Sequence, residues 1–293
     1  MKDCKKKGYT ASDISSEIST VISDDAFSDI RNLLFERSTL DINNYKDKCI
    51  KRRIAVRVRA NGCKTAEEYV DLLKRRTSEL ENLLKTLTIN VTQFFRNPFA
   101  FDKIRDEILP LIFKKKSEEE NSSLKIWSVG CSSGEEPYSL AIILKEYFKK
   151  ELMRFPAIIV ATDFDTEVIA KAKEGVYQEK SLEEVPAHLK EKYFVPLGGG
   201  NFGIVPQIKE MVIFKKRNIL QDDLHEKQDL IICRNMLIYF SREQQGVILD
   251  KLTNSLTMDG FLILGKAETL VANSRNNFKT VSSRERIYKK INF

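Results

Sequence analysis

Residues 124–144, LKIWSVGCSSGEEPYSLAIIL, constrain the fold of this chain more than any other segment. The apolar run 124–129 predicts a strand that ends at Gly130. After a short polar loop, Gly134 and Pro137 introduce an apolar helix. A strand, a tight turn and a helix N-terminus form the unit with which α/β proteins hold nucleotide-like ligands. The segment therefore predicts an α/β domain in which this turn binds a ligand. The alternative is a structural turn without a ligand.

Two carboxylates occupy the start of the predicted helix. Turns that bind phosphate are rich in glycine and exclude acidic residues, whereas Glu135 and Glu136 lie where the ligand would be. Carboxylates pair with cationic groups. The turn therefore suits a positively charged ligand such as S-adenosylmethionine, which has an ammonium and a sulfonium group.

The composition limits the classes of protein to which the chain can belong. Its 293 residues suffice for one large domain or two smaller ones. Five cysteines without a Cys-x-x-Cys pair predict reduced thiols and a cytoplasmic location, and only two histidines argue against a metal cofactor. We find no long apolar run or signal peptide, and so expect no membrane insertion. The formal net charge of +7 suggests an acidic partner.

Changes in hydrophobic periodicity predict the domain organisation. Polar residues 1–22 predict a flexible tail, and apolar positions at helical spacing over 23–88 predict an all-helical N-terminal domain. A linker over 89–123 follows. From 124 to 293 strands alternate with helices, which predicts an α/β domain with a parallel sheet. A Gly- and Pro-containing stretch at about 193–216 breaks this alternation and predicts a small antiparallel β-subdomain.

Individual strands can be assigned within this domain. The insertion has two short β-like runs, Gly203–Val205 and Met211–Phe214, and the C-terminal RERIYKKINF predicts a last strand. The strands predicted for the parallel sheet are Leu124–Val129, Ala157–Thr162, Leu230–Cys233 and Phe261–Leu264.

Polar residues follow two of these strands at the edge where α/β proteins bind ligands. Asp163 follows the second strand, where an acid accepts hydrogen bonds from ribose hydroxyls. The alternative for Asp163 is a helix cap, a role for which Asp165 is better placed. Arg234 and Asn235 follow the third strand. These positions are the candidates for a binding site.

Taken together, four segments resemble the chemotaxis receptor methyltransferase (CheR) family. In chain order they are INVTQFFRNP, SVGCSSGEEPYSLA, ATDFDTEVIAKAKEGVY and IICRNMLIYF. The resemblance extends from about residue 25 to the end and is specific because GEEPYS and CRNxxIYF occur together. It implies an all-helical N-terminal domain and an S-adenosylmethionine-dependent, Rossmann-like methyltransferase domain with an inserted antiparallel β-subdomain. The implied activity is methyl transfer to receptor glutamates, which yields glutamyl methyl esters and S-adenosylhomocysteine.

The resemblance also assigns roles to matching positions. One glutamate of the GEEP motif would hold the methionine amino group, with Glu136 favoured and Glu135 the alternative. Asp163 would hold the ribose, and Asn218 would lie beside the adenine. Arg96 and Tyr239 are the candidates for contacting the substrate carboxylate. For Asn90, Thr92 and Arg96, which lie in the predicted linker, the alternative roles are helix capping and a surface charge. The positions implied for the cofactor cleft are Asn90, Thr92, Arg96, Gly130, Glu135, Glu136, Asp163, Asn218, Ile219, Cys233, Arg234 and Asn235.

The implied chemistry agrees with the residue inventory. A glutamate is already ionised at neutral pH, so its methylation needs no general base. The enzyme has mainly to align the carboxylate oxygen, the methyl carbon and the sulfur, and to exclude water. The scarcity of histidine is then expected, and Arg96 would act as a clamp.

A basic helix is predicted between residues 41 and 60, and its default interpretation is a solvated face. The family resemblance implies instead that this helix docks the acidic methylation helices of receptors. The docking residues predicted on this basis are Arg52, Arg53, Arg57 and Arg59. In some family members the β-subdomain also binds a receptor C-terminal peptide by strand addition, which the glycines at 198–200 would permit.

Two other functions are possible for such a chain. A nucleic-acid methyltransferase would suit the basic charge, but an amino-group methylase would have an Asp/Asn-Pro-Pro-aromatic turn where this chain has CRNMLIYF. A non-enzymatic receptor adaptor is opposed by the intact GEEP motif, Asp163 and Arg96. We therefore predict an enzyme that acts on receptors, not on nucleic acid, and expect a monomer.

Overall fold

A computed structural model of the chain describes residues 21–38, 41–87, 92–119, 123–222 and 226–291. The chain divides into two compact units, Met1–Ile89 and Asn90–Phe293. The predicted tail over residues 1–22 lies almost wholly outside the described residues, as does Asn90. No helix within the described ranges is long and apolar enough to cross a membrane.

The first unit is helical, as its periodicity predicts. Its α-helices among the described residues are α1 (Asp24–Arg37), α2 (Asp47–Ala60), α3 (Ala66–Arg75) and α4 (Thr77–Leu87). Side-chain caps satisfy N–H groups at the start of two helices, because Ser23 accepts from Ala26 and Thr65 accepts from Glu68. Apolar positions at helical spacing, such as Ile30, are buried in the core of this unit.

The second unit has a seven-stranded and a three-stranded sheet among its described residues. In chain order the strands are β1 (Leu124–Val129), β2 (Ala157–Asp163), β3 (Val176–Gln178), β4 (Phe194–Gly198), β5 (Asn201–Ile204), β6 (Val212–Lys216), β7 (Gln228–Cys233), β8 (Leu256–Leu264), β9 (Phe278–Ser282) and β10 (Ile287–Lys290). The large sheet has the order β6-β2-β1-β7-β8-β10-β9. Its first five strands are parallel, whereas β10 and β9 are antiparallel to their neighbours.

The predicted parallel sheet is present as these five strands, and an antiparallel hairpin extends it at the C-terminal edge, so the large sheet is mixed. The predicted last strand is present as β10, and only a short turn connects it to the preceding strand, β9. A short turn can join only antiparallel strands, because a parallel pair needs a crossover connection of a dozen or more residues. The hairpin reverses direction and brings its turn back to the carboxyl edge of the parallel strands.

Helices connect and cover the parallel strands. They are α5 (Pro98–Lys103), α6 (Leu109–Lys116), α7 (Glu135–Tyr147), α8 (Lys149–Arg154), α9 (Thr166–Glu174), α10 (Ala187–Tyr193), α11 (Pro206–Lys209) and α12 (Arg242–Ser255). A π-helical segment, Ile104–Ile108, joins α5 to α6. Helix α6 contacts β1, α7 contacts β2, α9 contacts β2 and β6, and α12 contacts β8. This packing fixes the helix N-termini near the carboxyl ends of the strands.

The small antiparallel sheet is present, but its composition differs from the prediction. Its strand order is β3-β5-β4, so a strand at Val176–Gln178 joins it from outside the predicted range 193–216. The predicted insertion strand Met211–Phe214 is instead part of β6, which pairs in parallel with β2. Val212 and Phe214 are buried in the main core, and this burial outweighs pairing with the nearer strands of the insertion.

Candidate functional site

The turn between β1 and α7 is shaped by two glycines with positive φ. Gly130 has φ +67° and Gly134 has φ +94°, a region in which other residues are strained. A Cβ on Gly134 would lie 3.0 Å from the Cβ of Ala172 and from the Phe214 ring. The N–H groups of Gly130 and Cys131 both donate to the Thr162 carbonyl, at 2.8 and 3.0 Å. The turn is thus held against the end of β2, as the sequence motif predicts.

Asp163 joins this turn to the end of β2. Its Oδ2 accepts from the N–H of Ser132 at 2.9 Å, and its Oδ1 accepts from the N–H of Asp165 at 3.0 Å. Burial raises the pKa of Asp163, and the backbone donors oppose that effect. Each carboxylate oxygen has two lone pairs, so both can accept a further hydrogen bond. Asp163 can therefore receive two hydroxyl groups without losing its backbone contacts.

Glu136 lies between the ends of β1 and β7. Its Oε1 accepts from Ser128 Oγ at 2.9 Å, and its Oε2 faces Arg234 Nη1 at 3.3 Å. Burial raises the pKa of Glu136 although Arg234 lowers it. The side chain remains 13% exposed, whereas that of Arg234 is 4% exposed. A buried carboxylate with one cationic partner and an exposed face is suited to a second cation.

Glu135 has a different environment. It is buried, and both of its oxygens accept from Ser133 Oγ, at 2.9 and 2.8 Å. Burial raises the pKa of Glu135 to about 7. Both neighbouring glutamates thus accept from a serine hydroxyl, and Glu136 in addition faces the guanidinium of Arg234.

The raised pKa of Glu135 makes stability depend on pH. The folded state binds a proton more tightly than the unfolded state, so this contribution is fully present below pH ~4.5 and is lost as pH rises through about 7. Relative to Glu135→Gln, the wild type should lose about 3 kcal/mol of unfolding free energy between pH 4.5 and 8. Urea unfolding at several pH values measures this difference. Glu174→Gln, on the exposed surface of α9, is the control, and a difference that is constant with pH would contradict the raised pKa.

The segment around Arg96 has an unusual backbone. Phe95 and Asn97 both have positive φ, +53° and +64°, which is uncommon for residues other than glycine. Tertiary contacts hold this conformation: the N–H of Phe95 donates to Ser139 Oγ at 2.9 Å, and Asn97 Nδ2 donates to Glu285 Oε2 at 2.7 Å. Arg96 is therefore presented from a fixed backbone, and backbone strain of this kind is concentrated at functional sites.

Arg234 connects the Arg96 segment to Glu136. Its Nη2 donates to the Arg96 carbonyl at 2.6 Å, while its Nη1 contacts Glu136. Its guanidinium also lies 5.5 Å from the ring centroid of Phe101. One buried arginine thus joins the end of β7, the start of α7 and the segment before α5. Polar residues predicted from three separate motifs are brought together here.

Glu268 is a residue of this site that the sequence analysis missed. Its Oε2 accepts from the N–H groups of Gly265, at 2.6 Å, and Asn235, at 2.9 Å, and its Oε1 accepts from Ile238 at 3.3 Å. Burial raises its pKa, and these donors oppose the rise. Glu268 therefore fixes the loop after β7, in which Asn235 has φ +60°. Its position just beyond β8 was the available signal, since ligand sites lie at that edge.

The remaining predicted residues are placed as follows. Thr92 and Tyr239 are half-buried, the latter in a 3₁₀ turn, Leu237–Tyr239. Asn218 and Ile219 follow β6, and Asn218 Oδ1 accepts from the Leu220 N–H at 3.1 Å. The Cys233 side chain is buried at the end of β7, and its position beside a cofactor stays a prediction. Among the described residues no group of three or more His, Cys, Asp or Glu side chains could hold a metal ion.

Two of the four predicted docking arginines are structural residues of the helical unit. Arg53 is 5% exposed and donates to the Leu87 carbonyl. Arg57 donates twice to Glu79, at 2.9 and 2.6 Å, and Glu79 also accepts from the buried Tyr69 hydroxyl at 2.7 Å. Arg53 is turned toward the core of the unit, so its predicted docking role is wrong, whereas Arg57 is half-buried, with its side chain 21% exposed, and is held by Glu79. Arg52 and Arg59 are exposed.

Comparisons with known proteins cover both units. Residues 90–287 match the family model for the CheR methyltransferase SAM-binding domain, and residues 25–88 match that for its all-alpha domain. The chain is 34% identical over 256 residues to a chemotaxis protein methyltransferase of Borreliella burgdorferi, covering 86% of this chain and 90% of that protein. It is 32% identical over 232 residues to one from Listeria innocua, covering 79% and 85%. It is also 32% identical over 252 residues to chemotaxis protein methyltransferase 2 of Pseudomonas aeruginosa, covering 84% and 86%.

Proposed function

Because the chain belongs to the CheR family of chemotaxis methyltransferases, we propose that it methylates glutamate side chains of chemotaxis receptors with S-adenosylmethionine as donor. The carrying observation is the pair formed by Asp163, at the end of β2, and Glu136, in the first turn of α7, which are bonded to separate partners. Such a pair suits one ligand with hydroxyl groups at one end and an ammonium at the other. S-adenosylmethionine has both.

The residues present fit this cofactor. Asp163 would hold the ribose hydroxyls with its remaining lone pairs. Glu136 would hold the ammonium, because it follows the glycine turn in the first turn of α7, its side chain is 13% exposed, and Arg234 compensates part of its charge. Asn218 and Ile219, after β6, would lie beside the adenine, and the Asn90 and Thr92 segment would close over the cofactor. When bound, S-adenosylmethionine supplies an activated methyl group on a sulfonium.

The protein's part in the reaction is to position the acceptor. The receptor glutamate is ionised at neutral pH, so no residue has to remove a proton. We assign Arg96 and Tyr239 to the substrate carboxylate, with the guanidinium as a two-pronged clamp. The rigid backbone on both sides of Arg96 supports this role, because alignment of oxygen, methyl carbon and sulfur requires a donor in a fixed place.

The partner is proposed to be the acidic helix that carries the receptor's methyl-accepting glutamates. In the helical unit, Arg52 and Arg59 remain the docking candidates on α2, since both are exposed. Opposite charges on the two surfaces would steer and orient the encounter more than they would raise affinity.

Calorimetric titration with S-adenosylhomocysteine tests the cofactor assignment and separates the two glutamates. We expect wild-type binding in the micromolar range, a loss of at least about 100-fold in Glu136→Gln, and a change of less than about threefold in Glu135→Gln. Glu135→Gln is the matched control because it makes the same substitution one residue away. A folded wild type that does not bind would contradict the proposal, and a larger loss in Glu135→Gln would reverse the assignment.

A further inference from the structure

The hairpin of β9 and β10 brings basic residues to the edge of the sheet that holds the candidate site. Ile287 of β10 pairs with Ile263 near the end of β8, so the turn at 283–286 lies beyond the carboxyl end of β8. Arg286 in this turn donates from Nε to the carbonyl of Lys266, at 3.3 Å, and Lys266 follows β8. Two loops are thus joined along one edge.

An exposed aromatic ring lies beside this turn. Phe99 is 59% exposed, and the guanidinium of Arg284 lies 5.4 Å from its ring centroid. The Arg284 side chain is itself 79% exposed. A stacked pair this exposed contributes little to folding stability. Arginine and aromatic residues are, in contrast, enriched where proteins bind other proteins.

The cations of these two loops outnumber their carboxylates. Glu268 is 3% exposed and accepts backbone N–H groups, and Glu285 is 2% exposed and accepts from Asn97. Glu285 Oε1 also lies 3.6 Å from Arg284 Nε and offsets part of its charge. Lys266 and Arg284 are exposed, and together with Arg286 they leave the outer surface of the two loops positive.

This positive surface adjoins the residue that we assign to the substrate carboxylate. Glu285, next to Arg284, holds Asn97 at 2.7 Å, and Asn97 follows Arg96 directly. Phe99 lies two residues farther along the same segment, at the start of α5. The exposed pair therefore lies on the two segments that meet beside Arg96.

We propose that Phe99, Lys266, Arg284 and Arg286, here called the rim patch, dock the acidic receptor helix that carries the substrate glutamate. This inference rests on the proposed function and names the surface through which the methyltransferase unit itself binds its substrate. The three cations would face carboxylates on turns of the helix adjacent to the methylated residue, and the Phe99 ring would cover its apolar positions. The rim patch belongs to the methyltransferase unit, whereas α2 belongs to the helical unit.

Steady-state kinetics with the soluble cytoplasmic fragment of a chemotaxis receptor test the rim patch. We expect Arg284→Glu to raise KM at least about tenfold, because charge reversal replaces attraction by repulsion, and to change kcat less than about twofold. The effect should shrink as salt is raised, since exposed charges are screened. Phe99→Ala should also raise KM, and this rise should not depend on the salt concentration. The dissociation constant of S-adenosylhomocysteine should not change in either variant.

Arg154→Glu is the matched control, because Arg154 also stacks on a phenylalanine, Phe155, at 5.1 Å, but lies just before β2 at the opposite edge of the sheet. Wild-type KM in both Arg284→Glu and Phe99→Ala, with an active wild type, would overturn the rim patch and leave the proposed function standing. An equal rise in KM in Arg154→Glu would also overturn it. A wild type that binds S-adenosylhomocysteine but does not methylate the fragment would overturn the proposed function and this inference with it.

Discussion

Replacing Asp163 with alanine is expected to weaken S-adenosylhomocysteine binding at least about 100-fold. The substitution removes the acceptors that we propose for the ribose hydroxyls. It also releases the glycine turn, because the Asp163 oxygens accept the N–H groups of Ser132 and Asp165. A hydrogen bond to a charged group is worth about 1.5–3 kcal/mol, and the loss of two accounts for the expected change. Isothermal titration measures it directly.

Asp165→Ala is the control for this prediction. Asp165 accepts from the N–H groups of Glu167 and Val168 and caps α9, so its loss should cost about 1 kcal/mol of stability. It should leave the dissociation constant almost unchanged. Wild-type affinity in a folded Asp163→Ala protein would contradict the ribose assignment, as would an equal loss of affinity in Asp165→Ala.

Arg96→Ala is expected to lower kcat/KM for a receptor fragment at least about 100-fold. Removal of a single well-placed donor commonly has an effect of this size. The backbone of Arg96 is held by a hydrogen bond from Arg234 and by the contacts of Phe95 and Asn97, so its side chain starts from a fixed position. Arg96→Lys should restore little of the loss, because an ammonium cannot make the bidentate contact of a guanidinium.

Arg105→Ala is the control for Arg96→Ala. It tests whether the loss of another nearby arginine would lower kcat/KM to the same extent. Arg105 lies in the π-helical segment and pairs with Asp106 at 2.6 Å and with Asp102 at 3.0 Å. We expect wild-type kcat/KM for this variant. Cofactor binding and turnover that both survive Arg96→Ala would show that Arg96 does not act as a clamp.

Local signals in the sequence were sufficient to predict where the main residues of the candidate site lie in the fold. Gly130 and Gly134 shape the turn between β1 and α7, whose geometry depends on residues close in the sequence. Asp163 and Arg234 directly follow buried strands. Each of these features is set within one strand–loop–helix unit, where hydrophobic periodicity and glycine placement are informative. The family resemblance drawn from the same segments is confirmed by the comparisons.

Other features depend on contacts between segments far apart in the chain. Glu285 reaches Asn97 across 188 positions, and no local pattern indicates such a contact. Arg53 and Arg57 form part of a regular basic stripe on α2, and only the packing of α4 shows that they are turned inward. The strand β6 follows the small sheet in the chain but pairs with β2, because tertiary packing decides which sheet a short apolar run joins.

The most direct test of glutamate methylation is the transfer of tritium from methyl-labelled S-adenosylmethionine to the soluble cytoplasmic fragment of a receptor. The labelled fragment is then treated with mild alkali. Glutamyl methyl esters hydrolyse in alkali and release methanol. We expect base-labile label that disappears when the methyl-accepting glutamates of the fragment are replaced by alanine. Label that survives alkali, or no transfer by a protein that binds S-adenosylhomocysteine, would contradict glutamate methylation.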